Sequence, residues 1–154
     1  MKYGSLNIKT DYSLLKSLIK INNLIEYANK NKINILSICD NNLCGSLEFY
    51  NACKKNNIKC IIGLEYLYEN KKIYLFPKNY NGFKNLLLIS RYGLNNYEDI
   101  ILINDKPIYN FEFYDINKLY FKEIRSLEKE NEPALKYLEA IDKNEKIENI
   151  NNIE

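Results

Sequence analysis

Short apolar runs that alternate with helical patterns predict an α/β domain with a mainly parallel sheet. Three observations carry that reading. Apolar runs of strand length stand at 35–39, 60–63, 73–76 and 100–103. Segments with helical spacing separate most of them. Lys9, Asp40 and Glu65 each follow an apolar run, which in such folds brings polar groups to one rim of the sheet, where sites are built.

Taken in order, Leu6 to Ile8 reads as a short strand leading into Asp11-Tyr12-Ser13, with Tyr12-Ser13 as a helix entry. Over 21–31, Leu24, Ile25 and Ala28 share a helical face and Asn22 is the available N-cap. The run 35–39 is a strand ending at Asp40, with turn residues Asn41 and Asn42 behind it. Ser46 can cap a helix whose Leu47, Tyr50 and Cys53 fall at i, i+3 and i+6, closed by the basic pair Lys54-Lys55. A second buried strand covers 60–63 with Glu65 just past its end, and a third covers 73–76, stopped by Pro77. Asn81-Gly82 precedes a helix through Phe83, Leu86, Leu87 and Ser90, so Gly63 and Gly82 both read as turn glycines. After a strand at 100–103, a short strand around 119–121 leads to Glu123-Ile124-Arg125. A last helix has Pro133 in its first turn and Ala134, Leu138 and Ile141 on one face. Residues 1–141 are the expected domain and 142–154 a polar tail or the start of a linker.

Composition narrows the chemistry. The chain has 154 residues, enough for one core, and no histidine. Without an imidazole it cannot build a Ser-His or Cys-His nucleophile or a His-rich zinc site, and it lacks the side chain that titrates near neutrality. Lys+Arg 22 against Asp+Glu 20 leaves a net charge of +2, too little for a strong nucleic-acid or membrane signal. The acids concentrate late, nine against five bases over 123–154, which reads as a solvated helix face. Cys39, Cys44, Cys53 and Cys60 contain no C-x-x-C pair and read as reduced packing residues. No apolar run reaches a membrane span and the start shows no signal-peptide core, so a cytoplasmic protein is expected.

Four segments carry a resemblance. They lie at 6–65, 72–90, 99–103 and 123–141, with wording such as Tyr-Ser-Leu-Leu, Glu-Phe-Tyr-x-Ala-Cys-Lys-Lys, Ile-Ile-Gly-Leu-Glu and Lys-Asn-x-x-Gly-Phe-Lys-Asn-Leu. In order and spacing they resemble the polymerase-and-histidinol-phosphatase (PHP) domain of bacterial DNA polymerase III alpha subunits. The resemblance implies a distorted (β/α)7 barrel, here with mainly parallel strands. Complete members hold a metal cluster with His, Asp and Glu at the strand ends and hydrolyse phosphoesters.

Position by position, those ligands are mostly replaced. The family's His-x-His is Asn7-Ile8-Lys9, and its Thr-Asp-His is Cys39-Asp40-Asn41. The Glu after Ile-Ile-Gly is kept as Glu65, the next histidine aligns with Lys72, and the late Asp-x-His is Glu123-Ile124-Arg125. A protonated lysine donates no lone pair and repels a cation. The resemblance therefore implies a degenerate pocket with vestigial positions Asn7, Lys9, Asp40, Asn41, Glu65, Lys72, Glu123 and Arg125, in which Lys9, Lys72 and Arg125 pair with the remaining carboxylates. No catalytic residue and no cofactor are expected, although Asp40 and Glu65 could hold Mg²⁺ or another divalent cation weakly.

Length departs from the family as well. Only about thirty residues join the strand at 100–103 to the final helix, so one or more β/α units are missing and the barrel is abridged. The leading expectation is a non-catalytic PHP-like domain with a structural or interaction role in DNA replication. It is either the N-terminal part of a polymerase III alpha subunit, in which case the parent is a DNA-directed DNA polymerase, or a stand-alone relic. Its partners would be the rest of that subunit or other replisome proteins, and the chain alone is expected to be inactive. The alternative is a divergent metal-dependent phosphoesterase using Asp40, Glu65 and Glu123. A third reading, nucleic-acid binding through Tyr and Lys, is weakened because Tyr50, Tyr74 and Tyr120 fall on expected core or strand faces.

Overall fold

The computed structural model describes residues 5–127. The helix expected from Pro133 and the tail expected over 142–154 lie outside the described residues. The order of elements is α1 (Ile21–Lys30), β1 (Ile35–Asp40), α2 (Ser46–Lys55), β2 (Lys59–Tyr68), β3 (Lys71–Pro77), α3 (Tyr80–Tyr92), β4 (Ile100–Asn104) and β5 (Glu112–Asp115), then a 3-10 turn at Ile116–Lys118. The fold is mixed α/β, with one five-stranded sheet in the order β1-β2-β3-β4-β5.

β1 pairs parallel with β2 and β4 with β5, whereas β3 is antiparallel to both of its neighbours. Four strands therefore run one way and β3 alone runs against them. β2 and β3 form a hairpin in register Tyr68↔Lys71. Its two loop residues, Glu69 and Asn70, have φ of 48° and 61°, the positive-φ pair that a right-twisted two-residue turn requires.

β2 runs on to Tyr68, so Glu65 lies inside the strand and not past its end. Leu64, with Tyr66 and Tyr68 partly buried beside it, packs under α3 together with Leu75, Leu86 and Leu102, and this continues the strand beyond the apolar run. On the same side of the chain's layered arrangement, α1 and α2 cover β1 through Leu24, Ala28, Leu36, Ile38 and Phe49. A third cluster joins Cys39, Phe76 and Ile103 with Phe121, whose ring lies 4.7 Å from Tyr74 and 6.2 Å from Phe76.

Several local expectations change. α1 starts at Ile21 with Lys20 in the N-cap position, because Ile21 itself is buried, and Asn22 lies inside the helix. α2 has Gly45 at its N-cap and Ser46 as its first residue. Its buried face is Ser46, Phe49 and Cys53, while Leu47 is 71% exposed and Tyr50 47% exposed. Neither Gly63 nor Gly82 is a turn glycine. Gly63 lies in β2 under the Phe76 ring, and Gly82 lies in α3, where an added Cβ would come within 2.2 Å of the Asp99 carbonyl oxygen. α3 begins earlier than expected because Asn79 caps it, its side chain accepting a 2.9 Å hydrogen bond from the Gly82 N–H.

The short strand expected around 119–121 is absent, and β5 lies earlier, at Glu112–Asp115. Beyond it, Ile124 makes an isolated parallel bridge to Ile8. The Cys39 N–H donates to the Ile8 carbonyl at 2.9 Å and the Ile124 N–H to the Asn7 carbonyl at 2.9 Å. The chain around residues 7–9 is thus held between β1 and the segment carrying Glu123, and this places Lys9 at the strand rim. Among the described residues no helix is long and apolar enough to cross a membrane.

Candidate functional site

Lys9 is a lysine with 1% of its surface exposed, beside the C-terminal end of β1. Its Nζ donates to Asn7 Oδ1 at 2.7 Å and to the Cys39 carbonyl oxygen. It lies 3.7 Å from Glu65 Oε1 and 5.5 Å from the centre of the Tyr74 ring. Three donors and one charge thus meet two neutral oxygens, a carboxylate and an aromatic face, the kind of shell a buried ammonium needs.

Glu65 reaches this point because β2 places it on the same face as Gly63, opposite Tyr74 of β3. Its carboxylate is 9% exposed and has a second cation, Lys72 Nζ, at 3.6 Å from Oε1. Oε1 is buried and makes no hydrogen bond, so both lysines act on it through charge. Glu123 acts on the same spot through its field, raising the pKa of both the Cys39 thiol and the Tyr74 hydroxyl. Burial is the larger cause for each: it pushes Cys39 up from 9.0 to about 12 and Tyr74 up from 10.0 to about 12.

Asp40 lies beside this cluster but spends its carboxylate elsewhere. Oδ1 accepts from the Thr10 N–H and the Ser13 hydroxyl, both at 2.7 Å, and Oδ2 accepts from the Thr10 hydroxyl at 2.6 Å. Ser13 is therefore a partner of Asp40 and does not cap a helix. Asn41 is exposed, its N–H donating to Ser13 Oγ at 3.2 Å and its Oδ1 accepting from Asn42 at 2.9 Å. The Arg125 carbonyl accepts from the Leu18 N–H at 3.3 Å and from Ser17 Oγ at 3.1 Å, which ties the late segment to the turn before α1.

Of the sequence-derived positions, the fold brings together Asn7, Lys9, Glu65 and Lys72, with Glu123 close enough to act electrostatically. Asp40 and Asn41 form an adjoining hydroxyl-rich knot. The sequence reading missed Thr10 and Tyr74 as members of the site. The spacing Thr10-x-x-Ser13 was a legible signal for the knot, since two hydroxyls three residues apart in a turn can face one carboxylate. Tyr74 could not be found that way, because its place depends on the β2–β3 register.

A hard divalent cation needs several oxygen ligands with free lone pairs. Here both Asp40 oxygens are engaged and Glu65 faces two ammonium groups. Among the described residues no three His, Cys, Asp or Glu side chains gather as a possible metal group. The donors do not fit a metal cluster.

Fold and site together define an α/β domain with a charged knot beside the C-terminal end of β1. Residues 5–151 match the family described as the PHP domain, and the chain belongs to that family. It is 36% identical over 111 residues to the DNA polymerase III subunit alpha of Ureaplasma parvum, covering 66% of this chain and 12% of that protein. It is 37% identical over 101 residues to the same subunit of Staphylococcus aureus, covering 62% of this chain and 10% of that protein. The chain thus spans about a tenth of the length of these relatives. Among solved structures, a chain named as a metal-dependent phosphoesterase from Bifidobacterium adolescentis matches with a TM-score of 0.38 at 17% identity, covering 52% of this chain and 31% of its own.

Proposed function

We propose that this chain is a non-catalytic PHP-like domain with a structural or interaction role in DNA replication. It would act in the cytoplasm as the N-terminal part of a polymerase III alpha subunit, or as a relic of one. Its partners are then the remainder of that subunit or other replisome proteins. In this reading residues 1–141 form an abridged, distorted barrel, 142–154 lead out of it, and the knot at the rim is a degenerate metal pocket.

The observation that carries the reading is the Lys9 ammonium, buried between Asn7, the Cys39 carbonyl and Glu65. A cation covalently attached to the chain needs no metal to neutralise Glu65 and supplies no Lewis acid or activated water. The phosphoesterase alternative is less well supported, because Asp40, one of its three carboxylates, already accepts three hydrogen bonds from Thr10 and Ser13. Elemental analysis of purified protein, combined with phosphate release from p-nitrophenyl phosphate in Mn²⁺ or Mg²⁺, tests the choice. Less than a tenth of an equivalent of metal and no release above buffer is the expected result. One tightly held metal per chain, with release abolished by Glu65→Ala, would establish the enzyme instead.

A further inference from the structure

In a sheet built from β-α-β crossovers each crossover lays a helix over the strands. Here the β2–β3 connection is a two-residue turn, so the sequence supplies no helix between α2 and α3. α1 packs on α2 and α3 packs on β3, but no comparable contact joins α2 to α3. An open cavity of about 1140 Å³ remains, of which one part is a groove between these helices and the rest passes around the lower end of β2 and β3 onto the sheet face that carries Ile61, Phe76 and Ile103.

The groove's helical walls are apolar although they face solvent. α2 contributes Leu47 and Tyr50, and α3 contributes Tyr80, Phe83 and Leu87 at i, i+3 and i+7. Tyr80 is 74% exposed and Leu87 45% exposed, so each helix has a second apolar stripe besides the one it buries in the core. Cys60 and Ile62 of β2 form the floor.

Charge gives the other half of the pattern. Among the described residues, Lys59 and Lys78 are the charged side chains that line the groove, and no Asp or Glu does. Lys54 lies 6.0 Å from the centre of the Tyr50 ring and Lys84 5.4 Å from that of Tyr80, which adds two cations at the rims. Lys78 is paired with Glu112, but among the described residues Lys54, Lys59 and Lys84 have no carboxylate at ion-pair distance.

We propose that the groove between α2 and α3 is a docking site for an acidic amphipathic helix of a protein partner, its aliphatic face on Leu47, Ile62 and Leu87 and its carboxylates against the lysine rims. Single-stranded nucleic acid is the poorer occupant. Base stacking needs open aromatic faces, whereas Tyr50 and Tyr80, the exposed tyrosines of the two helical walls, each carry a lysine of their own chain. The inference does not depend on whether the strand rim binds metal.

The test uses the full chain and two fluorescent model helices. One has leucines at i, i+3, i+4 and i+7 with glutamates elsewhere; its counterpart has lysines in place of the glutamates. The glutamate helix is expected to bind, with affinity falling as salt rises, and the lysine helix to bind at least about tenfold more weakly. Leu47→Asp and Leu87→Asp change exposed side chains and should each weaken the glutamate helix about tenfold without altering the circular dichroism spectrum. A photocrosslinker on Cys44, an exposed thiol that lines the groove, should capture the peptide. Equal binding of both helices, no binding, indifference to both substitutions, or preferential retention of a single-stranded oligonucleotide would overturn the proposal. So would crosslinks from Cys44 to residues 128–154 of the same chain, or to a second copy. None of these readouts involves metal content or hydrolysis, so a failure here is distinguishable from failure of the PHP-like reading of the rim.

Discussion

Lys9 and Glu65 are mutually dependent. An ammonium with 1% exposure is tolerated because two oxygens and a carboxylate surround it, and the carboxylate in turn has an Oε1 with no hydrogen-bond donor. Removing one partner of a buried pair leaves the other uncompensated, which costs about 3–5 kcal/mol. Lys72 offsets part of that loss, because it remains 3.6 Å from the same oxygen while more than half exposed. Lys9→Met should therefore lower unfolding free energy by about 3 kcal/mol in urea titrations, and Lys9→Met with Glu65→Leu should recover most of it. A change under about 1 kcal/mol for Lys9→Met would mean that the pair is worth no more than an exposed one.

The same knot predicts a response to alkali. Cys39 and Tyr74 are both neutral in the fold, with pKa values pushed up to about 12 from 9.0 and 10.0, chiefly by burial. Raised folded values mean that the native state binds more protons than the unfolded chain above pH 9. Their contribution is complete below pH 9 and is lost as pH rises toward 12. Stability should accordingly fall across that interval, less steeply in Tyr74→Phe above pH 10. A Tyr74→Phe slope identical to that of the parent chain would remove Tyr74 from the account.

At the level of elements, α3 shows how a local rule can reverse. Replacing a helix-interior glycine by alanine ordinarily stabilises by about 0.5–1 kcal/mol. At Gly82 the new Cβ would come 2.2 Å from the Asp99 carbonyl oxygen, just before β4, and 3.1 Å from the Cα of Pro77, the last residue of β3, both backbone atoms. Neither can withdraw as a flexible side chain would, so Gly82→Ala is expected to destabilise and to lower the midpoint of thermal unfolding. A raised midpoint would show that the α3 connection yields. That contact also explains why Asn81-Gly82 misleads as a turn: the pair has turn chemistry, but Asn79 caps the helix ahead of it. The apolar runs located β1, β3 and β4 within about two residues. The hairpin stayed hidden, because Glu69-Asn70 lacks the glycine that marks such turns and Lys71-Lys72 carries no apolar signal. β5 was missed for a related reason, since Glu112 and Tyr114 alternate with Phe113 and Asp115 without a clear apolar face.

For the molecule as a whole, the resemblance named the right family, and Lys9 meets Glu65 although Glu65 lies inside β2 and not at its end. What single positions could not reveal was division of labour: Asp40 looked equivalent to Glu65, yet one is held by two hydroxyls and a backbone N–H and the other by ammonium groups. This division has a thermodynamic consequence under the proposed function. A ligand that binds only the folded state stabilises by RT ln(1 + [L]/Kd), about 2.7 kcal/mol at a hundredfold excess over Kd. For a domain of this size that would move the unfolding midpoint by roughly 5–10 °C, taking about 2–4 °C per kcal/mol. A cation supplied by Lys9 travels with the chain and contributes no such linkage. Thermal scans in 1 mM Mn²⁺, in 1 mM Mg²⁺ and in EDTA should therefore coincide within about 1 °C. The Lys9→Met protein gives the contrasting case, because it leaves the Asn7, Cys39 and Glu65 oxygens without their cation. A rise of several degrees in Mn²⁺ for Lys9→Met, with none for the parent chain, is the expected pattern. A metal-dependent midpoint in the parent chain itself would show that the lysine has not taken over the cation's role.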